Sequence, residues 1–186
     1  MCMLFMLGVQ SIGFAFGYVF SESDGGENLH TKIENNDILR GMKTSPDRAE
    51  VLGSLSEYVN THKLAGQEII LYGQIPSLSY YLKMPFAITS WPDLPSYNYD
   101  VMEEDLKALD GDIREKGRAV PVLLLEIKYG RFLEGGVEAL QDLGVDKSVV
   151  EAVAQDDKFR LLMDWADQYS YEVVFENSKF VMLRAK

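Results

Sequence analysis

Two segments of the sequence combine residue types that could bind a ligand. The first, residues 71–76, reads LYGQIP and continues the apolar run Ile69–Leu71. In open α/β sheets, ligands bind in crevices at the carboxyl ends of strands, beside the N-termini of the following helices. Because a buried strand would here end at a glycine and lead into a helix, Tyr72, Gly73 and Gln74 are candidate ligand-binding residues. Gly73 would let a ligand approach the backbone; the alternative is that it only makes the tight turn out of the strand.

The second segment, residues 91–97, reads WPDLPSY. A sugar presents an apolar C–H face that packs on an aromatic ring, and hydroxyls that hydrogen-bond to carboxylates and other acceptors. This loop offers both kinds of group, so we expect a carbohydrate site where it meets the first segment. The alternative is that the tryptophan covers an edge of the core and the aspartate caps the loop. The candidate residues are Trp91, Asp93, Ser96 and Tyr97.

Evidence for catalysis or metal binding is weak. Four carboxylates follow the second segment, at Asp100, Glu103, Glu104 and Asp105. Such clusters can bind metals or hydrolyse glycosides, but acidic residues also favour the first turn of a helix, which we expect here. His30 and His62 have no cysteine or carboxylate at ligand spacing. Motifs of nucleotide-binding, serine-dependent and zinc-dependent enzymes are absent from the sequence. We predict no catalytic residue, no metal site and no cofactor.

A sheet and flanking helices must position the candidate residues. Ser45 is a predicted N-cap, and the apolar stripe behind it predicts a helix from Pro46 to near His62. Apolar runs predict buried strands at residues 67–72 and, as the central strand, at Val120–Ile127. Four more helices are predicted: Pro76–Leu82, Met102–Leu109 ending at Gly111, Lys147–Val153 after the cap Asp146, and one that begins after a cap at Asp156 or Asp157. The remaining predicted elements are extended: a piece within Ile33–Lys43, a short strand at Ala87–Ser90, and a hairpin that pairs Tyr171–Phe175 with Phe180–Leu183. This pattern predicts an α/β domain with a small mixed sheet covered by helices.

The N-terminal segment Met1–Phe20 carries no charged residue. About 20 apolar residues at about 1.5 Å rise each are enough for a helix to cross a bilayer core. The alternatives are a signal peptide or a buried core helix, but no basic residue precedes the segment and no polar face interrupts it. Acidic residues follow it, which predicts an extracytoplasmic domain. We expect a transmembrane helix at residues 1–20, a linker at 21–38 and a soluble domain at 39–186.

The charge of the chain excludes some partners. Its formal net charge is −11, from 18 basic and 29 acidic residues. Such a surface repels phosphate backbones and anionic lipids, so we expect no binding to nucleic acid. The one cysteine, Cys2, leaves no disulfide within the chain. We expect the chain to associate with the cell membrane through its N-terminal helix.

Together the two segments resemble part of a known group of proteins. The chain resembles the C-terminal tail of bacterial multi-pass proteins in the order of its motifs. These are L-Y-G-x-I-P, then W-P-D-L-x-S-Y, an apolar strand and a final hairpin with Y-E-V-V. Those proteins are similar to GT-C type membrane glycosyltransferases, which use polyprenyl-phosphate sugars. The segment Leu39–Ser45 fits the same pattern. The resemblance implies an accessory domain behind the last membrane helix of a longer chain. The catalytic acidic residues of that superfamily lie in early extracytoplasmic loops that have no match here.

The sequence therefore leaves three functions open. The first is a non-catalytic extracytoplasmic domain of a glycosyltransferase-like membrane protein, which assists in binding the acceptor or a polyprenyl-phosphate sugar. The second is a membrane-tethered domain that binds a glycan or another envelope component by itself. The third is a small hydrolase that uses carboxylates near Gly73 and Asp93.

Overall fold

In the computed structural model, which describes residues 29–186, short strands alternate with helices. The elements are β1 (Thr31–Lys32), β2 (Lys43–Thr44), α1 (Pro46–Thr61), β3 (Ile69–Tyr72), α2 (Leu78–Leu82), α3 (Tyr99–Lys116), β4 (Val122–Glu126), α4 (Ile127–Asp142), α5 (Lys147–Ala154), α6 (Asp157–Ala166), β5 (Tyr171–Glu176) and β6 (Phe180–Ala185). The predicted membrane segment Met1–Phe20 lies outside the described residues. Among residues 29–186, no helix is both long and apolar enough to cross a membrane. The described residues divide into two compact units, residues 29–57 and 58–186.

In the first unit, a two-residue antiparallel ladder pairs β1 with β2, Thr31 opposite Thr44. Asn36 organises the turn between them. Its buried side chain donates to Ser56 Oγ at 2.9 Å, and its Oδ1 accepts from the amides of Ile38 and Leu39 at 3.0 Å each. A buried amide with its donor and acceptor both used is stable in a core. The strand β1 and this buried asparagine lie within the predicted linker, residues 21–38.

In the second unit, one sheet of four strands has the order β3-β4-β6-β5. β3 and β4 are parallel, whereas β4 with β6 and β6 with β5 are antiparallel. The fold is therefore mixed α/β, as predicted. Val122–Leu125 is buried throughout, which is typical of a strand covered on both faces, and β4 lies inside the sheet as predicted for this run.

Helices α3 to α6 contribute buried apolar side chains to one core with the sheet. Asn98 caps α3 by accepting from the Val101 amide at 3.0 Å, and Asp156 caps α6 in the same way through Phe159. α4 approaches the sheet closely at Gly130, where a Cβ atom would overlap the side chain of Val181 on β6. The first residues of α4 are thereby fixed next to the end of β4.

Two sequence predictions about elements were wrong. Ala87–Ser90 forms no strand: the chain makes a single bridge, Phe86 to Ile69, before it turns away. α3 does not end at Gly111 but continues to Lys116, because the left-handed residue that ends the helix is Gly117 and not Gly111. Asp146 is the N-cap residue of α5 as predicted, although its side chain makes no capping hydrogen bond among the described residues. α4 itself was not predicted, since its paired glycines, Gly135 and Gly136, interrupt the helical pattern.

Arg118 fixes the chain at the start of β3. Its Nε and one terminal nitrogen donate to the two carboxylate oxygens of Glu68, both at 2.7 Å, and that terminal nitrogen also reaches the carbonyl of Ala87 at 3.2 Å. A bidentate arginine–carboxylate pair is geometrically specific. It secures the N-terminal end of β3, opposite to the end where the candidate residues lie.

Candidate functional site

The candidate site lies at the carboxyl ends of the parallel strands β3 and β4. Tyr72 ends β3 and pairs in register with Leu125, the residue before Glu126 at the end of β4. Gly73 follows with φ +116°, a conformation that other residues rarely adopt. A Cβ atom there would lie 2.6 Å from Cβ of Glu126. The glycine therefore makes room for the Glu126 side chain. That side chain occupies the space beside the Gly73 backbone in which a ligand was predicted to lie.

Asp156 is the hydrogen-bonding centre of the site. Its Oδ1 accepts from the Tyr72 hydroxyl at 2.7 Å and from the amide of Phe159 at 3.0 Å. Its Oδ2 accepts from the Tyr129 hydroxyl at 3.0 Å. The rings of Tyr72 and Tyr129 meet edge to face, with centroids 4.8 Å apart. One carboxylate thus joins the end of β3 to the first turns of α4 and α6.

The two tyrosines act as hydrogen-bond donors. Burial, followed by the hydrogen bond to Asp156, raises the pKa of Tyr72. Burial also raises the pKa of Tyr129, as do the Asp93 and Asp156 carboxylates. A raised phenol pKa means that the neutral, proton-donating form is retained. Neither hydroxyl is a source of a phenolate nucleophile.

Asp93 lies at the edge of this network with spare acceptor capacity. Its Oδ1 is 3.5 Å from the Tyr129 hydroxyl, whose single proton has a closer acceptor in Asp156 at 3.0 Å. Burial, and after it the charge of Asp156, raises the pKa of the Asp93 carboxyl, while Lys128 and Lys158 oppose this rise. A half-buried carboxylate without a close donor is a strong acceptor for a hydroxyl that a ligand supplies.

The two lysines of the site are already engaged. Lys128 pairs with Glu126 at 3.1 Å and lies 5.2 Å from the ring centre of Tyr129. The same Glu126 oxygen accepts from the Gln74 amide at 3.2 Å. Lys158 donates to three backbone carbonyls of the 91–97 segment, those of Pro92 at 2.7 Å and of Leu94 and Tyr97 at 3.0 Å each. Burial lowers the pKa of Lys158.

The predicted site residues are distributed unevenly around this centre. Tyr72, Gly73 and Asp93 belong to it, and Gln74 joins it through its backbone amide. The Tyr97 hydroxyl instead donates to Asp105 at 2.6 Å, on α3, and Ser96 is exposed. Trp91 is half-buried, and its indole nitrogen is buried without a hydrogen-bond partner among the described residues. The alternative role of Asp93 as a cap of its own loop has no hydrogen bond in support among residues 29–186.

Sequence reasoning missed several residues of the site, namely Glu126, Lys128, Tyr129 and Lys158. Asp156 was predicted only as a helix cap, a role it has. The missed signal was the sequence EIKY directly after the buried run Val122–Leu125. Polar residues at the end of a parallel strand lie where ligands bind in such sheets. The distant Lys158 gave no sequence signal of this kind.

The acidic cluster that begins at Asp100 lies in α3, where Glu103 pairs with Lys107 at 2.9 Å. Within residues 29–186, no group of histidine, cysteine and carboxylate residues has an arrangement that could hold a metal ion. Because the Tyr72 and Tyr129 hydroxyls already donate to Asp156, the groups that the site offers a ligand are carboxylate acceptors and an indole ring. Such groups suit the binding of a polar, uncharged molecule.

Comparisons of the chain with models of protein families, with curated proteins and with solved structures gave no match. The resemblance to the tails of GT-C type membrane proteins therefore stays a prediction.

Proposed function

We propose that the site at the ends of β3 and β4 binds a carbohydrate. The observation that carries the proposal is the spare acceptor capacity of Asp93, whose nearest hydroxyl is 3.5 Å away and donates to Asp156. A sugar hydroxyl supplies the missing donor. Leaving a half-buried carboxylate without one is unfavourable, so a hydroxyl that reaches it gains a charge-assisted hydrogen bond.

The charge of the site favours a neutral sugar over a phosphate. Asp93, Glu126 and Asp156 contribute three carboxylates against two ammonium groups, one of which is paired with Glu126 and the other with backbone carbonyls. A phosphate placed there would meet net negative charge. In a protein that handles polyprenyl-phosphate sugars, this site would therefore bind the acceptor glycan or the sugar moiety rather than the phosphate.

Trp91 is the proposed stacking partner. It belongs to the same short segment as Asp93, and Lys158 holds the carbonyls between and after them. An aromatic ring beside a carboxylate gives a sugar both a surface for its C–H face and an acceptor for its hydroxyls. Sugar affinity then depends on Trp91 and Asp93 together.

We further propose that the chain is the non-catalytic extracytoplasmic domain of a membrane protein similar to GT-C type glycosyltransferases. Its support is the charge-free segment Met1–Phe20 followed by acidic residues, together with the two motifs at residues 71–76 and 91–97. Protease added outside intact cells should cleave a tag at the C-terminus of the full chain. Full protection of that tag until the cells are lysed would contradict an extracytoplasmic location.

Ligand binding is tested with the full chain in detergent micelles. Saturation-transfer NMR with a panel of methyl glycosides, each compared with the matching glycosyl 1-phosphate, identifies the ligand class. We expect at least one neutral glycoside to bind more tightly than its phosphate. Asp93→Asn should weaken that binding about tenfold, the equivalent of one good hydrogen bond. Asp157→Asn is the matched control, because that neighbouring carboxylate is exposed and lies outside the network.

Two results would refute carbohydrate binding. In the first, no glycoside of the panel binds. In the second, one binds but its affinity is the same in Asp93→Asn, Trp91→Phe and the parent chain, so the sugar lies elsewhere.

A second candidate is a carboxylate-dependent glycoside hydrolase. The observation in its favour is a carboxyl with a raised pKa, Asp93, close enough to Asp156 and Glu126 to feel both charges. A carboxyl that holds its proton at higher pH can act as a general acid. Steady release of nitrophenol from aryl glycosides, lost in both Asp93→Asn and Glu126→Gln, would favour the hydrolase. Binding without turnover favours the non-catalytic domain.

A further inference from the structure

The aromatic loop, residues 91–97, has little regular structure of its own. It consists of two successive turns, in which the Leu94 amide donates to the Trp91 carbonyl at 3.1 Å and the Tyr97 amide donates to the Leu94 carbonyl at 3.0 Å. Pro92 and Pro95 within it have no amide hydrogen to donate. The loop therefore needs stabilising contacts from outside.

One side chain on α6 supplies hydrogen bonds to the backbone of the loop, in addition to the bond between the Tyr97 hydroxyl and Asp105 on α3. The Lys158 ammonium donates to the carbonyls of Pro92, Leu94 and Tyr97 at 2.7, 3.0 and 3.0 Å. An ammonium has three N–H donors, so these bonds use its full capacity. A lysine bonded in this way has no donor left for a ligand, which separates its role from that of Asp93.

We propose that Lys158 is the positioning residue of the site: its ammonium holds the aromatic loop so that Trp91 and Asp93 face a ligand together. The part of this inference that concerns ligand binding rests on the proposed function. The part that concerns the stability of the loop does not. α6 thereby serves the site twice, through its cap residue Asp156 and through Lys158, two residues further on.

The charge and the shape of the ammonium both matter. Its three bonds are charge-assisted, and a neutral side chain of equal length such as methionine can make none of them. Arginine keeps the charge, but its planar fork does not match three carbonyls that converge on one nitrogen. Burial lowers the pKa of Lys158, while the Asp93 and Asp156 carboxylates raise it and thereby favour the charged form.

Amide hydrogen exchange on the full chain in detergent tests this role. In Lys158→Met, exchange at Leu94 and Tyr97 should be about tenfold faster than in the parent chain, while the β4 amides of Val122–Glu126 change less than about twofold. Lys147→Met is the control, since that lysine is exposed and pairs with Glu151 at 3.6 Å, away from the loop. Unchanged exchange at Leu94 and Tyr97 in Lys158→Met overturns the proposal.

A chemical rescue separates the ammonium from simple packing. Cys2 is the sole cysteine of the chain, so a Cys2→Ser, Lys158→Cys protein has one thiol to modify. Alkylation with bromoethylamine restores an ammonium at nearly the length of lysine, and alkylation with iodoacetamide adds a neutral amide. We expect loop protection to return with the first reagent alone. Equal protection with both reagents would show that the charge is not needed.

The native chain offers a measurement that does not depend on any variant folding. Ammonium protons held by three acceptors should exchange with water slowly enough for Lys158 to give an NMR signal at neutral pH, and absence of that signal overturns the proposal. The ligand panel gives the remaining distinction. If Lys158→Met loosens the loop but no sugar binds the parent chain, the proposed function fails and the positioning role of Lys158 stands.

Discussion

Tyr72 and Asp156 lie 84 positions apart in the sequence, yet the tyrosine hydroxyl donates to Oδ1 of the aspartate at 2.7 Å. Because Tyr129 donates to the other oxygen, the carboxylate holds the last residue of β3 against the beginning of α4. The same group caps α6. The stability of the fold and the geometry of the candidate site thus depend on the same carboxylate.

Removing the hydroxyl of Tyr72 tests the strength of this link. Tyr72→Phe should lower the free energy of unfolding by about 2 kcal/mol, the usual value for a hydrogen bond to a charged group. Urea unfolding followed by circular dichroism measures it. Tyr80→Phe is the control, since that ring is 68% exposed and should unfold like the parent chain. Equal stability of all three proteins would mean that the Asp156 bond contributes nothing.

Replacing Asp156 should cost more. Asp156→Ala removes the cap of α6 and leaves two tyrosine hydroxyls without their acceptor, so we expect a loss of about 3 kcal/mol or more in the free energy of unfolding. Asp157→Ala provides the comparison: its carboxylate is 73% exposed and pairs with Arg160 at 3.4 Å. A similar loss in both variants would contradict the central role of Asp156.

Gly73→Ala combines backbone strain with a steric clash. The alanine would have to adopt φ +116°, and its Cβ would lie 2.6 Å from Cβ of Glu126. Gly66→Ala isolates the strain, because Gly66 has φ +86° and nothing within 4 Å of its Cβ position. We expect about 1 kcal/mol for Gly66→Ala and at least about 3 kcal/mol for Gly73→Ala. Thermal or urea unfolding of both variants measures the difference, and equal losses would exclude the clash with Glu126.

The raised pKa of Asp93 predicts a pH dependence of stability. Between its ordinary value of 3.8 and its higher folded value, the folded chain holds a proton that the unfolded chain has released. The stabilising contribution is therefore complete below 3.8 and is lost as the pH rises through the folded pKa. Asp93→Asn removes this dependence, so its stability relative to the parent chain should rise as the pH increases above 3.8 and through the folded pKa of Asp93.

Urea unfolding across that pH range checks the sign for Asp93. Glu138→Gln, at an exposed carboxylate on α4, is the matched control and should follow the parent chain at every pH. A relative stability of Asp93→Asn that is constant or falls with rising pH would contradict the burial of this carboxyl.

The sequence predicted the sheet better than it predicted the site. Buried strands such as Val122–Leu125 are continuous apolar runs, which local patterns identify. The helix α4 was not predicted from its pattern, because two glycines in its interior, Gly135 and Gly136, depart from helical backbone angles. The end of the Met102 helix was misplaced because a glycine in a helix stops it only where its conformation is left-handed, as at Gly117.

The site could be predicted only in part. Tyr72 and Asp93 were found because each lies in a short motif of suitable residue types. Their connection through Asp156 and Tyr129 depends on contacts between segments far apart in the chain, and no local spacing encodes these. Tyr97 was predicted as a site residue because a tyrosine hydroxyl can bind a sugar. In the structure that hydroxyl instead donates to Asp105 on α3, at 2.6 Å.

The contact between Gly130 on α4 and Val181 on β6 has an evolutionary consequence. Since any Cβ at position 130 would overlap the valine side chain, the glycine can be replaced only if Val181 is replaced as well. In homologous sequences we expect glycine at 130 wherever 181 is branched, and alanine at 130 only beside a residue smaller than valine. The two positions should therefore covary, which gives divergent homologues a recognisable signature even where the loop at 91–97 has changed beyond recognition.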